Sequence, residues 1–443
     1  MDIIRGIIGM GVIIGIAYLL SNNKKHINWR LVGTGLGIQF VLAVFILKAT
    51  WLSNVWSPLG WPSAFFSWVS KFFVVVIDFT TEGAFFIFDR LAYGPAIETS
   101  MGFFFAFQVL PTIIFFASLT SLLYHFGILQ WIVSVMAKFM QKALGTSGAE
   151  SLSVTANIFV GQTEAPLVIK PYIEKMTKSE LLAVMTGGMA TIAGGVMAAY
   201  IQILGGAYAV ANGIPVDEAE LLFAEQLLGA SLMAAPAALV IAKILHPEVE
   251  EPATKGSVSI EVEKKDANGI DAAASGASEG LTLALNVGAM LLAFVALIAM
   301  FNWVLGWIGD ITTLHAAAPN FRLSIESLLG YTFAPLAWLI GVPASDMVAV
   351  GSLLGTKLVL TEFIAYSDLS SMIGNGTLSP KTIAMSAFAL CGFANFSSIA
   401  IQIGGIGGLA PSRKADLAKF GLKAVFAGTM ANLMTATIAG MLF

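Results

Sequence analysis

Apolar runs long enough to cross a lipid bilayer recur along the whole chain. They lie at residues 31–48, 103–137, 181–204, 227–246, 281–308, 382–410 and 421–442. A helix needs about 20 predominantly apolar residues to cross a hydrocarbon core about 30 Å thick. Of the 443 residues, 57% are hydrophobic and 11% are charged, and soluble domains usually carry about twice that charged fraction. The sequence therefore predicts an all-α polytopic membrane protein.

The charges beside the apolar runs predict how the chain is oriented. The first run, residues 3–20, lacks a small-residue cleavage pattern and is expected to remain as a transmembrane helix. Lys24, Lys25 and Arg30 follow it, which places that loop in the cytoplasm and the N-terminus outside. The loops near 49–62, 205–226 and 309–320 contain no Lys or Arg. Both termini are therefore expected on the outer side.

Three segments and the rare residue types narrow the possible functions. The aromatic stretch 51–88 is expected to lie along the membrane interface or beside the bundle. Residues 247–280 are charged and rich in small residues, which predicts a mobile cytoplasmic linker. Residues 208–226 are expected to form a short outer loop or helix. The single cysteine, Cys391, excludes an internal disulfide, and a net charge of −4 gives no reason to expect a nucleic-acid partner.

The same Thr-Glu dipeptide occurs twice in apolar surroundings. Glu164 lies in "GQTEAP" and Glu362 in "KLVLTEF". Each is followed by a hydrophobic span that Gly or Ser residues interrupt, at 189–198 and at 391–408. An unpaired carboxylate in the membrane costs several kcal/mol, so both glutamates are candidates for function. Paired interrupted segments in two halves of a chain favour a secondary transporter with internal repeats and a site near the midplane.

The first Thr-Glu dipeptide follows a segment that is too short to cross. Residues 151–161 comprise about half of a membrane span. Such a segment can enter and return as a hairpin if its exposed backbone faces protein or water. Gly161 and Pro166 bracket the tip of this predicted hairpin, and Gln162, Thr163 and Glu164 lie at the tip.

The polar residues near the two glutamates indicate the chemistry of a ligand. No Lys or Arg lies in either interrupted span, which argues against an anionic substrate. Carboxylates suit vicinal hydroxyl groups and an aromatic side chain suits a flat ring, so a sugar or a nucleoside is favoured over an amino acid. Any single Ser, Thr or Asn could instead form a polar bond between helices. The candidates are Gln162, Thr163, Glu164, Glu362, Phe393, Asn395, Phe396, Ser397 and Ser398.

Four motifs together closely resemble the concentrative nucleoside transporter family. They are "GQTEAPL", "GGMATIAGGV", "TEFIAY" and "CGFANFSSIA". The resemblance implies a homotrimer whose protomers have about eight transmembrane helices and two opposed re-entrant hairpins, with an inverted repeat, interrupted helices and interfacial helices. It also implies a scaffold at residues 1–140 and a transport core at 141–443 that moves like an elevator.

The family's functional residues can be carried over to matching positions. The resemblance implies that Gln162, Thr163 and Glu164 bind the nucleobase together with Val196, and that Glu362, Asn395 and Ser398 bind the ribose beside Phe393. It implies a sodium site at Asn157, Val160, Thr191 and Ile192, and oxygen ligands suit a hard cation. The chain differs from the common pattern at Thr361, where Asn is usual, and at Thr191, where Ser is common.

These observations predict a sodium-coupled nucleoside importer of a bacterial inner membrane, with no catalytic residues and no cofactor besides the coupling ion. Proton coupling is an alternative, because burial raises the pKa of a carboxylate and can make it titrate during transport. An intramembrane enzyme that uses Glu164 or Glu362 is a less favoured alternative, because no nucleophile or Cys/His set accompanies either glutamate in the sequence.

Overall fold

The computed structural model describes residues 2–94, 101–255, 266–312 and 322–443, and the regular elements in these ranges are helices. The helices are α1 Asp2–Leu19, α2 Trp29–Leu47, α3 Ala49–Val55, α4 Trp61–Phe88, α5 Phe105–Gln108, α6 Leu110–His125, α7 Ile128–Leu144, α8 Gly148–Ala156, α9 Lys170–Ile173, α10 Lys178–Ala190, α11 Gly194–Asn212, α12 Val216–Leu245, α13 Gly269–Ile311, α14 Ile325–Leu339, α15 Met347–Val359, α16 Glu362–Gly374, α17 Pro380–Leu390, α18 Phe396–Leu409 and α19 Lys414–Leu442.

The long apolar helices divide into an inner and an outer set. In the most apolar stretch of each helix, the share of residues buried within the chain is 94% for α12 and 78% for α19. The corresponding shares are only 6% for α13 and 22% for α6. A helix that is apolar all round must bury its surface in protein or in lipid. The inner helices therefore form the core, and the outer helices expose apolar faces that suit lipid or another protein surface.

The first predicted hairpin is present, and its start is specified locally. Ser147 and Glu150 form a capping box at the N-terminus of α8, which satisfies backbone N–H groups that would otherwise lack partners. The helix ends at Ala156, after nine residues. A tip over 157–164 follows, and the chain returns through a 3-10 helix at Ala165–Ile169 and α9. Pro166 lies at the start of that return, where its missing N–H costs no helical hydrogen bond.

The second hairpin consists of α15 and α16, with Leu360 and Thr361 between them. Thr361 caps α16, because its hydroxyl accepts a hydrogen bond from the backbone N–H of Ile364 at 3.4 Å. Glu362 is thereby placed in the first turn of α16. A carboxylate at this end of a helix interacts favourably with the helix dipole.

Both interrupted helices of the sequence prediction are confirmed. The first breaks between α10 and α11 at 191–193, and the second breaks between α17 and α18 at 391–395. Asn395 caps α18 by accepting from the backbone N–H of Ser398 at 2.9 Å. Each break exposes carbonyl groups at the end of one helix and N–H groups at the start of the next, so each is a polar point within an apolar span.

The predicted linker at 247–280 is wrong over its last third, because α13 begins at Gly269. Its small residues permit close packing here. A Cβ on Gly280 would lie 2.8 Å from the Cα of Ile114, and one on Gly276 would lie 2.7 Å from the carbonyl oxygen of Ala117. Helices in membranes commonly approach through small residues. Residues 256–265 of the linker lie outside the described ranges.

The predicted outer segment 208–226 is mostly helical. α11 continues to Asn212 and α12 begins at Val216, so only three residues connect them. Gly213 allows this tight connection, because its φ of 64° is in the left-handed region that favours glycine. The aromatic segment forms α4, which packs against α12. The proposed division into 1–140 and 141–443 stays a prediction, and α13 packs along α6 across that boundary.

Candidate functional site

The two hairpin tips and the two helix breaks surround a cavity of about 1170 Å³. The predicted candidates that line this cavity are Gln162, Thr163, Glu164, Val196, Glu362, Phe393, Asn395, Ser397 and Ser398. Phe396 is not among the lining residues, and its side chain is 48% exposed. These residues come from four elements that are separated by up to 236 positions in the chain. The inner helices and hairpins bring them to one place.

The amide of Gln162 is held by the second interrupted helix. Gln162 Nε2 donates to Ser398 Oγ at 3.1 Å, and Gln402 Nε2 donates to Gln162 Oε1 at 3.0 Å. Gln402 Nε2 also donates to the carbonyl oxygen of Met185 at 3.0 Å. Since an amide has distinct donor and acceptor ends, these contacts fix which end of Gln162 lies at each position. The first hairpin tip is thus bonded to α18.

Thr163 and Glu164 complete the first tip. The Thr163 hydroxyl donates to Glu164 Oε1 at 2.8 Å, and Glu164 is exposed toward the cavity. A Cβ at Gly161 would lie only 2.0 Å from Glu164 Oε2. A methyl group at this position would therefore displace the Glu164 carboxylate from its place at the tip.

Glu362 is buried, with 5% of its surface exposed. Its Oε1 accepts from the Tyr200 hydroxyl at 3.1 Å, and its Oε2 accepts from Asn395 Nδ2 at 2.8 Å. Asn395 is itself oriented, because its Oδ1 accepts from the N–H of Ser398 at 2.9 Å and from the Ser397 hydroxyl at 2.7 Å. A carboxylate has about four acceptor positions, so about two remain for hydroxyl groups of a ligand.

Apolar side chains complete the walls of the cavity. Phe393 and Val196 line it, and so do Ile113 of α6 and Leu283 of α13. A pocket with apolar walls and a few convergent polar groups is typical of small-molecule sites. The cavity lies between the hairpin region and the outer helix pair α6 and α13.

The predicted sodium ligands belong to the first tip and the first break. Asn157 is 1% exposed, and among the described residues its Oδ1 has no hydrogen-bond partner. The Thr191 hydroxyl donates to the carbonyl oxygen of Gly187 at 2.8 Å, so its lone pairs remain available. The carbonyl groups of Val160 and Ile192 lie outside helices. Gly194 N donates to the carbonyl oxygen of Phe159 at 3.0 Å, which joins the tip to the break.

An unpartnered buried oxygen usually needs an ion or a water molecule. Ser153 Oγ and Thr155 Oγ1, on the short helix that ends just before Asn157, also lack partners in the described part of the chain. Side-chain and carbonyl oxygens are the ligands that hard cations prefer. The residues present therefore fit a sodium ion.

Tyr200 and Gln402 position Glu362 and Gln162, and sequence reasoning did not select them. Both are fully buried polar residues in apolar helices. A buried side chain that needs a hydrogen-bond partner is a weak signal in the sequence, and it does not indicate which residue is the partner.

Comparisons with known proteins agree over the whole chain. Family models described as "Na+ dependent nucleoside transporter N-terminus", "Nucleoside recognition" and "Na+ dependent nucleoside transporter C-terminus" match residues 8–91, 106–207 and 226–440. The chain is 46% identical to the "Uncharacterized transporter YutK" of Bacillus subtilis over 100% of both chains. It is 42% identical to "Nucleoside permease NupC" of Helicobacter pylori over 98% of this chain and 96% of that protein.

A solved structure also matches. The structure of CNTnw in an inward-facing substrate-bound state superposes with a TM-score of 0.85 at 43% identity, over 100% of this chain and 98% of that one. The chain therefore belongs to the concentrative nucleoside transporter family, which consists of helical membrane transporters and not of enzymes.

Proposed function

We propose that this protein is a sodium-coupled symporter that carries nucleosides into the cell across a bacterial inner membrane. The observation that carries the sodium part is the buried, unpartnered Oδ1 of Asn157. It lies five residues before Gln162, in the same hairpin tip. The descriptions of the matched family models as Na+ dependent support the same ion.

The arrangement provides a direct route for coupling. A sodium ion held by Asn157 and Val160 of the tip and by Thr191 and Ile192 of the break would join the two segments. The tip that it orders contains the proposed nucleobase ligands, so the ion raises the affinity for nucleoside. Thermodynamic linkage requires that nucleoside raise the affinity for sodium by the same factor.

The two halves of the cavity suit the two halves of a nucleoside. Gln162, Thr163 and Glu164 offer amide, hydroxyl and carboxylate groups to the edge of a base. Glu362 and Asn395 offer acceptors and donors to the ribose hydroxyls, and Phe393 provides an aromatic surface beside the base. Since polar and apolar side chains both line the cavity, a flat ring joined to a polyol suits this lining.

The cavity extends toward one side of the membrane. It reaches Lys170, Glu174 and Asp266, on the side where the distribution of basic residues places the cytoplasm. We infer an inward-open arrangement. In the proposed cycle, the hairpins and interrupted helices move together past α6 and α13, like an elevator. Homotrimer assembly and outer positions for both termini belong to the same proposal.

The coupling ion is tested by uptake of radiolabelled uridine into proteoliposomes. A sodium gradient at fixed pH should drive accumulation, and a choline gradient should not. Asn157→Ala should raise the half-saturating sodium concentration by about tenfold, equivalent to one lost ligand worth about 1.4 kcal/mol. Asn212→Ala, on an exposed helix end, is the matched control and should behave like the wild type.

The same assay distinguishes sodium coupling from proton coupling. If uridine uptake does not depend on sodium but increases with an imposed proton gradient, the transporter is coupled to protons and not to sodium. Uridine recovered unchanged and concentrated inside the vesicles is the expected product, because a symporter moves its substrate without altering it.

A further inference from the structure

Lys357 is a buried cation in the first helix of the second hairpin. It is 2% exposed. Its ammonium donates to the carbonyl oxygen of Ala389 at 3.0 Å and to Asn432 Oδ1 at 2.8 Å. Among the ion pairs of the described residues, none includes Lys357. Burying a charge is costly. These two oxygens contact the ammonium directly, and the Glu362 carboxylate interacts with it electrostatically at longer range.

The repeat gives this ammonium a counterpart in the first half of the chain. Asn157 precedes Thr191, the first residue of the first break, by 34 residues. Lys357 precedes Cys391, the first residue of the second break, by the same 34 residues. Both side chains lie at the end of the first helix of a hairpin and near a break. Counted back from the helix breaks, Lys357 is the second repeat's counterpart of Asn157. Counted back from the Thr-Glu dipeptides, the counterpart is Gly355, two residues earlier.

The two positions are complementary in chemistry. In the first repeat, oxygens are present and lack a partner, as Asn157 Oδ1 shows. In the second repeat, the oxygens of Ala389 and Asn432 are satisfied by an ammonium that belongs to the protein. The first position therefore has a free acceptor that can take a cation, and the second already contains one.

Asn432 also joins the two positions. Its Oδ1 accepts from Lys357, and its Nδ2 donates to the carbonyl oxygen of Ala190 at 2.7 Å. Ala190 immediately precedes Thr191, a proposed sodium ligand. Gly392 lies in the same place, where a Cβ would approach Asn432 Oδ1 to 2.6 Å and the Ala190 oxygen to 2.7 Å. The two helix breaks therefore meet at Asn432.

We propose that the Lys357 ammonium is a tethered cation that fills the second repeat's counterpart of the sodium site, so that no sodium ion binds there. The inference rests on the proposed sodium site of the first repeat. Lys357 would then determine how many sodium ions bind, because removing the ammonium and supplying an oxygen should open a site for a second sodium ion.

The test compares Lys357→Asn, which supplies the amide oxygen found at Asn157, with Lys357→Met, which removes the charge and supplies no oxygen. Lys138→Asn on α7 is the control, because that lysine is exposed. Two measurements are made on each full-length protein. They are the thermal unfolding midpoint as sodium replaces choline, and uridine uptake as a function of sodium concentration.

The wild type and Lys138→Asn should show saturation by sodium with a Hill coefficient near 1. Lys357→Asn should show a Hill coefficient that approaches 2 and a larger rise of its unfolding midpoint with sodium than the wild type. Lys357→Met should show neither change. If Lys357 only joins helices, the two Lys357 variants should instead respond to sodium alike.

Two results would overturn the inference. The first is a Lys357→Asn protein with the Hill coefficient and sodium-dependent stabilisation of the wild type. The second is a Lys357→Asn protein that does not fold even at ~0.15 M sodium, because sodium would then not replace the ammonium. Failure of the proposed function is a separate result, since it appears as sodium-independent uptake and stability of the wild type.

Discussion

Replacing Glu362 with glutamine changes the proposed ribose site with almost no change of shape. Glu362 already accepts hydrogen bonds from Tyr200 and Asn395, at 3.1 and 2.8 Å. Asn395 cannot turn to accommodate an amide, because its Oδ1 is held by Ser398 N and Ser397 Oγ. The glutamine oxygen must therefore face Asn395 Nδ2, and its NH₂ group must face Tyr200 and the ligand.

The size of the expected loss follows from this geometry. One of the two acceptor positions left for ribose becomes a donor, and the other loses its negative charge. A hydrogen bond to a charged group contributes about 1.5–3 kcal/mol, so the variant should lose about 3 kcal/mol of binding. At 1.4 kcal/mol for each factor of ten, that is about 100-fold in apparent affinity for uridine.

The assay is initial uptake into proteoliposomes at subsaturating concentrations of uridine and of 2′,3′-dideoxyuridine. The dideoxy compound lacks the 2′ and 3′ hydroxyls that would donate hydrogen bonds to Glu362, so its uptake should change by only a few fold between wild type and Glu362→Gln. Glu218→Gln, on the exposed first turn of α12, is the control. An equal loss for both nucleosides, or uridine uptake within twofold of wild type, would refute a ribose role for Glu362.

Two further substitutions test the hairpin. Gly161→Ala places a methyl group where Glu164 Oε2 now lies, so uridine uptake should fall by roughly tenfold or more while the unfolding midpoint changes little. Lys243→Met breaks a buried ion pair with Glu150, whose Oε2 is 2.7 Å from Lys243 Nζ. Leaving one buried charge without its partner costs about 3–5 kcal/mol, so the unfolding midpoint of the purified protein should fall clearly.

Each of these substitutions has a matched control. Gly11→Ala on α1 meets no atom within 4 Å and should leave uptake unchanged. Lys255→Met breaks an exposed pair with Glu251, and exposed pairs contribute at most about 1 kcal/mol. If Gly161→Ala took up uridine at the wild-type rate, the added methyl group would not disturb the Glu164 carboxylate, and the prediction would be wrong. A Lys243→Met midpoint no lower than that of Lys255→Met would contradict the role of the buried pair.

Much of the architecture could be predicted because its causes are local. Run length alone determines that residues 151–161 cannot cross a bilayer, and the capping box at Ser147 specifies where α8 begins. The Thr-Glu dipeptides mark both hairpin tips, since a carboxylate in an apolar run requires special surroundings. The linker prediction failed at 269–280 because small residues suit both mobile chains and close helix packing, and composition does not distinguish the two.

The partners of the key side chains were decided by tertiary structure alone. Tyr200 contacts Glu362 across 162 positions, Gln402 contacts Gln162 across 240, and Lys357 contacts Asn432 across 75. A hydrogen bond has strict requirements of distance and angle, and no local pattern encodes which distant group will meet them. The sequence by itself determined which residues are polar within the membrane and where helices break. The packing of the two repeats decided that those residues meet around one cavity, and that Lys357 lies buried against Ala389 and Asn432.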